Sequence, residues 1–212
     1  MKNRIIAIFV TFIIVLLPII AGILLWDRLP DEMVTHWNAS GEADGYSSKG
    51  FAVFAIPLIL AGAHLVCSAV TFIDPKNRNI SGKMLGLVLW ICPLVSILCN
   101  TLVYAHALGY QFNVGFVMCL FMGILFAVLG NYLPKCRHNY TVGIKTPWTL
   151  ASEDNWNKTH RMAGPLWLVG GIVIAATSFL ANIWIFFGIL MVMVVLPMVY
   201  SYMYYVKNEK EK

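Results

Sequence analysis

The sequence predicts an all-α protein: a polytopic membrane bundle of six transmembrane helices with both termini in the cytoplasm. The chain of 212 residues is 59% hydrophobic and 12% charged, about half the charge of an average soluble domain. It contains six apolar runs, most of them about 20 residues long, the length that crosses a hydrocarbon core about 30 Å thick. Thirteen of its 15 Lys and Arg residues fall in alternate segments between the runs. The positive-inside rule assigns those segments to the cytoplasm.

The six apolar runs are expected to be helices, because a bilayer core offers the backbone no other hydrogen-bonding partners. They are Ile5–Trp26, Phe51–Ile73, Met84–Leu108, Phe112–Leu133, Pro165–Leu180 and Ile183–Val206. The first run is longer than the core of a signal peptide and lacks a small-residue cleavage site, so it is interpreted as a retained span. Only Ala181 and Asn182 separate the last two runs, which predicts a tight antiparallel helical hairpin. Residues 1–212 are interpreted as one transmembrane domain.

Polar residues inside the spans are few, and none carries a permanent charge. His64, Asn100 and His106 are the notable ones; they either form hydrogen bonds between helices or mark a functional polar site. The absence of mid-membrane carboxylates disfavours a classical ion-coupled transporter. His138 and His160 lack the spacing of a zinc motif. No metal, cofactor or catalytic residue is predicted, and the chain is interpreted as not an enzyme.

The first long loop, residues 27–50, is predicted to lie outside the cell. It carries five acidic and two basic residues and is rich in turn formers. An extended segment at Met33–Trp37, followed by turns, is expected. The negative charge favours a basic or amphipathic partner such as a cationic peptide. Alternatively, Trp26, Trp37 and Tyr46 are interfacial anchors and the acidic side chains are only solvated.

The second long loop, residues 134–164, is predicted to be cytoplasmic. Ser152 is a good N-cap, and Glu153 and Asp154 suit the first turn of a helix. A short helix from Glu153 to Ala163 is expected, with Trp156 and His160 on one face and an end at Gly164-Pro165. Five basic residues of this loop suit anionic lipid headgroups: Lys135, Arg137, Lys145, Lys158 and Arg161. The net charge of +5 is interpreted as a topological signal, so no direct nucleic-acid binding is expected.

Motifs in both loops resemble one family. The first loop has Leu29-Pro30, His36-Trp37, Gly41, Asp44 and Lys49. The second has Gly130-Asn131, Leu133-Pro134, Arg137, Asn139, Val142 to Leu150, Trp156, Thr159-His160-Arg161 and Gly164. Together they resemble the SdpI family, the immunity proteins against the bacterial sporulation-delaying-protein toxin. The chain departs from the family pattern at Lys145, where Arg is common, and at His138, which is interposed between Arg137 and Asn139.

The resemblance implies a multi-pass protein of the bacterial plasma membrane that protects the cell against a secreted peptide toxin. Its implied partners are membrane lipids, the toxin at the outer face, and a cytoplasmic transcriptional repressor held at the membrane. It divides the chain into an N-terminal module, 1–73, and a signature module, 112–206. The implied outer-loop recognition residues are His36, Trp37, Gly41, Asp44 and Lys49. The implied cytoplasmic signature comprises Asn131, Pro134, Arg137, Asn139, Gly143, Lys145, Thr146, Pro147, Trp148, Thr149, Trp156, Thr159, His160, Arg161 and Gly164.

Two other functions are compatible with the residues. One is a membrane enzyme or transporter acting on a lipid or small amphiphile, with Arg137, His160 and Arg161 as its headgroup site. The other is a structural helper that binds another membrane protein.

Overall fold

A computed structural model describes residues 2–208 of the chain. Lys210 and Lys212, which contribute to the predicted charge asymmetry, lie outside the described residues. The helices are α1 Lys2–Leu24, α2 Ile56–Ile73, α3 Gly82–Ala107, α4 Val114–Tyr132, α5 Pro147–Ala151, α6 Glu153–Thr177 and α7 Ile183–Asn208. The strands are β1 Glu32–Trp37 and β2 Ala43–Ser48. A π-helical turn, Phe51–Ala55, precedes α2.

The predicted membrane fold is confirmed. Within the described residues, six helices are long and apolar enough to cross a membrane. The second predicted run, Phe51–Ile73, coincides with one of these spans, and four of the others match to within a few residues. The direction in which the spans cross the membrane stays a prediction, as does the division into modules.

The fifth span corrects the prediction of a helix ending at Gly164-Pro165. α6 runs without interruption from Glu153 to Thr177, with Pro165 inside it. A proline removes one intrahelical hydrogen bond, but side-chain packing holds this helix in place on both sides of Pro165. Trp156 before the proline and Ile174 after it are both buried. The predicted cap is confirmed, since the Ser152 hydroxyl accepts the Asn155 N–H.

The extended segment predicted at Met33–Trp37 is confirmed as part of β1, but the turns predicted after it are partly replaced by a second strand. β1 and β2 form an antiparallel hairpin, in which Met33 pairs with Ser47 and His36 with Gly45. The Asn38 side-chain oxygen accepts the N–H groups of Ser40 and Glu42 and so organises the turn. Gly41 adopts a φ of 81° there, a conformation that glycine reaches without strain. The Asp44-Gly45 and Ser47-Ser48 pairs therefore lie in a strand, where cross-strand pairing overrides their local turn preference.

The chain forms two compact units. The first runs to Phe72 and includes Leu85–Val114. One face of α1, at Thr11, Val15, Pro18 and Gly22, is buried in it, with the spacing of a helical stripe. At the end of α1 a cluster of buried side chains joins the hairpin to α3 and to the π-helical turn. It comprises Leu29, Met33, Ala52, Val53, Val103 and Tyr104.

The second unit comprises Ile73–Met84 and Gly115–Lys212, of which the structure describes the part up to Asn208. α6 and α7 form the predicted antiparallel hairpin, in which the Trp167 indole N–H donates to the Met193 carbonyl at 2.8 Å. Its apolar core is centred on Phe126, Ile174 and Met193. Ala181, with a φ of 45°, makes the connection together with Asn182.

The approach of α4 to α6 depends on glycine. A Cβ at Gly130 would overlap the backbone of Trp167 and Leu168, and one at Gly171 would overlap the backbone of Ala127. Gly123 faces the Gly171 carbonyl and Ala175 in the same way. Glycines spaced seven residues apart on each helix, at 123 and 130 and at 164 and 171, let the two backbones meet directly.

We predict that Gly130→Ala destabilises the second unit, while Gly188→Ala does not. Both glycines are helical, so both substitutions gain the same helix propensity, about 1 kcal/mol. A Cβ at Gly188 meets nothing within 4 Å, whereas one at Gly130 must separate α4 from α6. Overpacking of this kind costs about 1–3 kcal/mol. Unfolding of the purified protein in detergent checks the difference; equal stability of the two variants would contradict a close α4–α6 contact.

Candidate functional site

The hairpin, Glu32–Ser48, presents an exposed hydrogen-bonded pair of side chains across its strands. His36 Nδ1 lies 2.6 Å from Asp44 Oδ1, and the two side chains are 71% and 44% exposed. A Cβ at Gly45 would lie 2.7 Å from the His36 Cβ, so glycine is needed for the strands to pair beneath the histidine. Of the five predicted recognition residues, His36 and Asp44 are therefore the two whose functional groups project from the paired strands.

Lys49 and Trp37 hold the hairpin on the unit. The Lys49 ammonium lies 3.1 Å from the Asp31 carboxylate, donates to the Trp26 carbonyl and sits over the Trp26 ring. Trp37 packs against the buried cluster beneath the hairpin and meets the His106 ring edge-on at a centroid distance of 5.7 Å. These contacts fix the position of the hairpin relative to the end of α1.

The exposed surface of this region is acidic. Its exposed carboxylates belong to Asp27, Asp31, Glu32, Glu42 and Asp44. Tyr46 is 57% exposed and Trp26 is 37% exposed. Aromatic rings beside exposed carboxylates give the hairpin a surface that attracts cations and also offers apolar contact.

In the second unit, the loop cluster comprises the α2–α3 connection, residues 74–80, and the segment between α4 and α6, residues 133–152. Asn139 organises its tightest turn. The Asn139 side-chain oxygen accepts the N–H groups of Thr141 and Val142, at 2.9 and 2.7 Å. Its amide nitrogen donates to the Arg137 and Val142 carbonyls. One buried carboxamide thus replaces the backbone pairing that this loop lacks.

Asp74 joins the two connections of the loop cluster and was missed by the sequence analysis. It is 4% exposed. Its carboxylate accepts the Thr141 hydroxyl at 2.6 Å and the N–H groups of Lys76 and Tyr140. Burial by itself raises the pKa of Asp74, but together these hydrogen bonds lower that pKa by more than burial raises it. The pKa of Asp74 is therefore below its ordinary value. Thr141 is 67 positions away in sequence, so no local pattern marks this contact.

His138 is the second link between the connections. The Lys76 ammonium, which can only donate, lies 2.7 Å from His138 Nδ1, and the Leu150 carbonyl, which can only accept, lies 3.1 Å from Nε2. These partners require a neutral ring with its proton on Nε2. The Asn79 side chain also donates to the His138 carbonyl. The histidine interposed in the family pattern is therefore structural in this chain.

Trp156 is the centre of the loop cluster. It is fully buried, its indole N–H donates to the Cys136 carbonyl at 2.8 Å, and it stacks on His160 at a centroid distance of 4.1 Å. His160 Nε2 accepts the Ile144 N–H, and Nδ1 donates to the Trp156 carbonyl. Gly143, with a φ of 127°, lies against both rings. The expected pairing of Trp156 and His160 on one helix face is confirmed.

Cys136 is a packing residue, buried among the side chains of the loop cluster. Burial raises the pKa of its thiol to about 11, although a hydrogen bond from Asn139 acts to lower that pKa. Such a thiol is protonated and unreactive at neutral pH. Within residues 2–208 no group of three or more His, Cys, Asp or Glu side chains is arranged to hold a metal ion.

A polar layer joins α5, α6 and α7. Thr146 and Thr149 form a capping box at the start of α5, which Pro147 begins. The Thr146 and Ser201 hydroxyls share a hydrogen bond of 2.8 Å, and Asn155 both donates to the Ser201 carbonyl and accepts the Ser201 hydroxyl. Thr159 in turn donates to the Asn155 oxygen. Trp148 packs on the Tyr202 ring at 5.0 Å.

The predicted cytoplasmic signature therefore separates into a buried scaffold and an exposed rim. Three basic residues of the signature, Arg137, Lys145 and Arg161, are exposed, and together with the exposed Lys158 they form the basic rim. Asn131 is also exposed, and Pro134 packs against Gly164. Pro147 is exposed as well, whereas the remaining signature residues described above are buried or half-buried and hold the rim in place.

The polar residues predicted within the spans have separate partners in the first unit. His64 Nε2 lies 3.1 Å from the Thr11 hydroxyl, the type of contact between helices that the sequence analysis allowed. His106 packs on Trp37. Asn100 donates to the Ser96 carbonyl.

We predict that Asp74→Asn destabilises the protein at neutral pH. The folded-state pKa of Asp74 is lowered, so its carboxylate stabilises the fold above the unfolded pKa, about 3.9, and this contribution is lost as the pH falls through the folded value. Hydrogen bonds to a charged group contribute about 1.5–3 kcal/mol. Thermal unfolding from pH 7 to pH 3 should show the deficit of the variant shrinking in acid. Asp27→Asn, at an exposed site, is the control; a deficit that does not change with pH would contradict the role of the charge.

Comparison with known proteins agrees with these two regions. A model of the SdpI/YfhL protein family matches residues 135–201, and one of a domain of unknown function, DUF1648, matches residues 13–61. The chain is 32% identical over 216 residues to the immunity protein SdpI of Bacillus subtilis strain 168, covering 98% of each chain. No solved structure matches the chain. The first match covers most of the loop cluster and the second covers the hairpin, and similarity extends over nearly the whole length of a characterised member. The chain is a multi-pass bacterial membrane protein that belongs to the SdpI family.

Proposed function

We propose that the chain is an immunity protein that protects a bacterial cell against a secreted peptide toxin. The observation that carries this proposal is the near full-length similarity to a protein named as an immunity protein. The proposed role requires recognition and not catalysis. Its proposed partners are the toxin, membrane lipids and a cytoplasmic repressor.

The hairpin is the proposed site of toxin recognition. Its exposed carboxylates attract a cationic peptide, and Tyr46 and Trp26 offer apolar contact to an amphipathic one. The His36–Asp44 pair stands at the exposed surface of the strands. Lys49, Trp37 and Gly41 are proposed to act indirectly, because their contacts fix the position and the turn of the hairpin.

Span parity and charge support opposite sides for the two regions. Three candidate spans lie between the hairpin and the α4–α6 segment along the chain, so the two are expected on opposite faces of the membrane. Basic residues in the loop cluster favour the cytoplasm for that end. The proposed arrangement has the hairpin outside and both termini inside.

The basic rim is the proposed cytoplasmic contact surface. Its four cations are exposed, while the network beneath them is buried and fully bonded at Asn139 and Trp156. A rim held in this way suits an acidic partner surface, as a repressor retained at the membrane would provide, or anionic lipid headgroups. The alternative of a lipid-modifying enzyme gains less support, because both ring nitrogens of His160 are engaged in hydrogen bonds.

We predict that expression of the chain protects sensitive bacteria against the sporulation-delaying-protein toxin, and that Glu32→Gln combined with Asp44→Asn weakens protection. Each lost exposed charge contributes about 0.2–1 kcal/mol, so the toxin concentration that kills half of the cells should fall roughly twofold to thirtyfold. The loss should grow at low ionic strength.

Glu153→Gln is the matched control, since Glu153 is an exposed acidic residue of the other unit. Equal toxin tolerance of the double variant and this control would contradict recognition by the hairpin. Failure of the unmodified chain to protect at all would contradict the proposed function.

The proposed topology predicts a labelling pattern in intact cells. A cysteine placed at Ser40, in the exposed turn of the hairpin, should react with a membrane-impermeant maleimide. A cysteine at Lys145, in the basic rim, should react only after the cells are permeabilised. The unsubstituted protein gives the background from its own cysteines, and the reverse pattern would show that the orientation is inverted.

A further inference from the structure

A groove opens between α1 and α3 within the membrane-spanning part of the first unit. It is lined by Leu17, Pro18 and Ala21 of α1 and by Ile97, Asn100 and Tyr104 of α3, and its volume is about 270 Å³. A water molecule occupies about 30 Å³ of liquid, so this groove has room for a group the size of an amino-acid side chain.

Asn100 leaves one hydrogen-bond acceptor unused beside this groove. The side chain is 1% exposed, and its amide nitrogen donates to the Ser96 carbonyl at 2.8 Å. That contact fixes the orientation of the amide, because a carbonyl can only accept. Within the described residues the Asn100 side-chain oxygen has no hydrogen-bond partner.

Two neighbouring donors, the Ser96 and Tyr104 hydroxyls, are already committed. The Ser96 hydroxyl donates to the Val15 carbonyl at 2.7 Å, and the Tyr104 hydroxyl donates to the Pro18 carbonyl at 3.0 Å. These bonds attach α3 to α1, so neither hydroxyl donates to the Asn100 side-chain oxygen. An unpaired polar atom in an apolar setting is costly and uncommon in native proteins. A ligand that brings a donor into the groove would remove this cost.

The depth of the groove in the membrane limits which ligands can bring a hydrogen-bond donor to Asn100. Asn100 precedes the end of α3 by seven residues, which is about 10 Å at 1.5 Å per residue. Donors of phospholipid headgroups remain at the interface, so a donor at this depth belongs to a segment inserted in the membrane. Tyr104, which lines the groove, also packs with Leu29 and Met33 in the cluster under the strands, so one residue adjoins both the groove and the base of the hairpin.

We propose that this groove binds an inserted segment of the peptide toxin, and that a hydrogen-bond donor of the toxin pairs with the Asn100 side-chain oxygen. This inference rests on the proposed immunity function and extends the recognition site from the hairpin into the membrane. The hairpin attracts the peptide, and the α1–α3 groove holds the segment that would otherwise insert elsewhere in the bilayer.

Photocrosslinking tests the position of the toxin directly. A photoreactive residue replaces Ile97 or Leu17, which line the groove, or the controls Leu94 and Ile13 on the same helices, which do not. Exposure is matched within each pair, at 41% and 44% on α3 and at 43% and 44% on α1. With synthetic sporulation-delaying-protein toxin added to membranes, the groove positions should crosslink to the toxin severalfold more than the controls. Equal yields, or crosslinks that join two copies of the chain, would overturn the proposal.

Substitution of Asn100 tests the acceptor. Asn100→Leu should lower toxin tolerance about threefold to twentyfold, the range that corresponds to one hydrogen bond between helices in a membrane. Ser96→Ala removes an α1–α3 hydrogen bond without touching the acceptor and should retain most of the tolerance. Membrane levels of the variants are compared to ensure that folding does not explain the result. Equal losses in both variants would assign Asn100 a structural role and overturn the proposal.

The outcomes separate the two proposals. A chain that gives no protection to sensitive cells contradicts the immunity function itself. A chain that protects, but shows no preference between groove and control positions in crosslinking, contradicts only the groove.

Discussion

Close contact between α4 and α6 is the constraint on which the loop cluster depends. Glycines on each helix bring the two backbones together, and Gly164 receives the ring of Pro134 at the point where the α4–α6 segment begins. The α4–α6 segment therefore begins in contact with α6 and then folds back over the first turns of that helix. In this position the Cys136 carbonyl accepts the Trp156 indole N–H, and the Ile144 N–H donates to His160 Nε2. Larger residues in this contact would move the anchor points of the whole loop cluster.

Neutral donors satisfy two buried acceptors of the loop cluster, the Asp74 carboxylate and the Asn139 side-chain oxygen. Asp74 is held by a threonine hydroxyl and backbone N–H groups, and Asn139 takes two backbone N–H groups. In the part of the chain that the structure describes, no arginine or lysine side chain is among the contacts that hold the Asp74 carboxylate. The cations of Arg137, Lys145 and Arg161 consequently remain at the surface. The loop cluster therefore combines a buried charge stabilised by dipoles with an exposed rim of cations.

The first unit combines an acidic surface with a polar membrane interior. Lys49 is engaged at the base of the hairpin, so the carboxylates on its strands lack local lysine partners. Beneath the hairpin, Ser96 and Tyr104 donate to carbonyls of α1, and His64 meets Thr11. Such contacts hold helices together where apolar packing against lipid gives little preference. These contacts attach the helices without using the Asn100 side-chain oxygen. The proposed hydrogen bond from a ligand to that oxygen is therefore compatible with the packing of α1 on α3.

The sequence by itself determined the spans, the Ser152 cap and the first strand, because hydropathy, capping and alternation act over a few neighbouring residues. Its motifs also included residues of the α4–α6 segment that the structure brings into contact, among them Ile144, Trp156 and His160. Tertiary structure decided the rest. β2 forms because β1 pairs with it, and α6 continues through Pro165 because packing holds both of its halves. Asp74 is recruited by Thr141 from far along the chain, and His138 becomes a link because Lys76 and Leu150 meet it in space. Contacts between distant residues depend on how the helices pack, which no local pattern of side chains encodes.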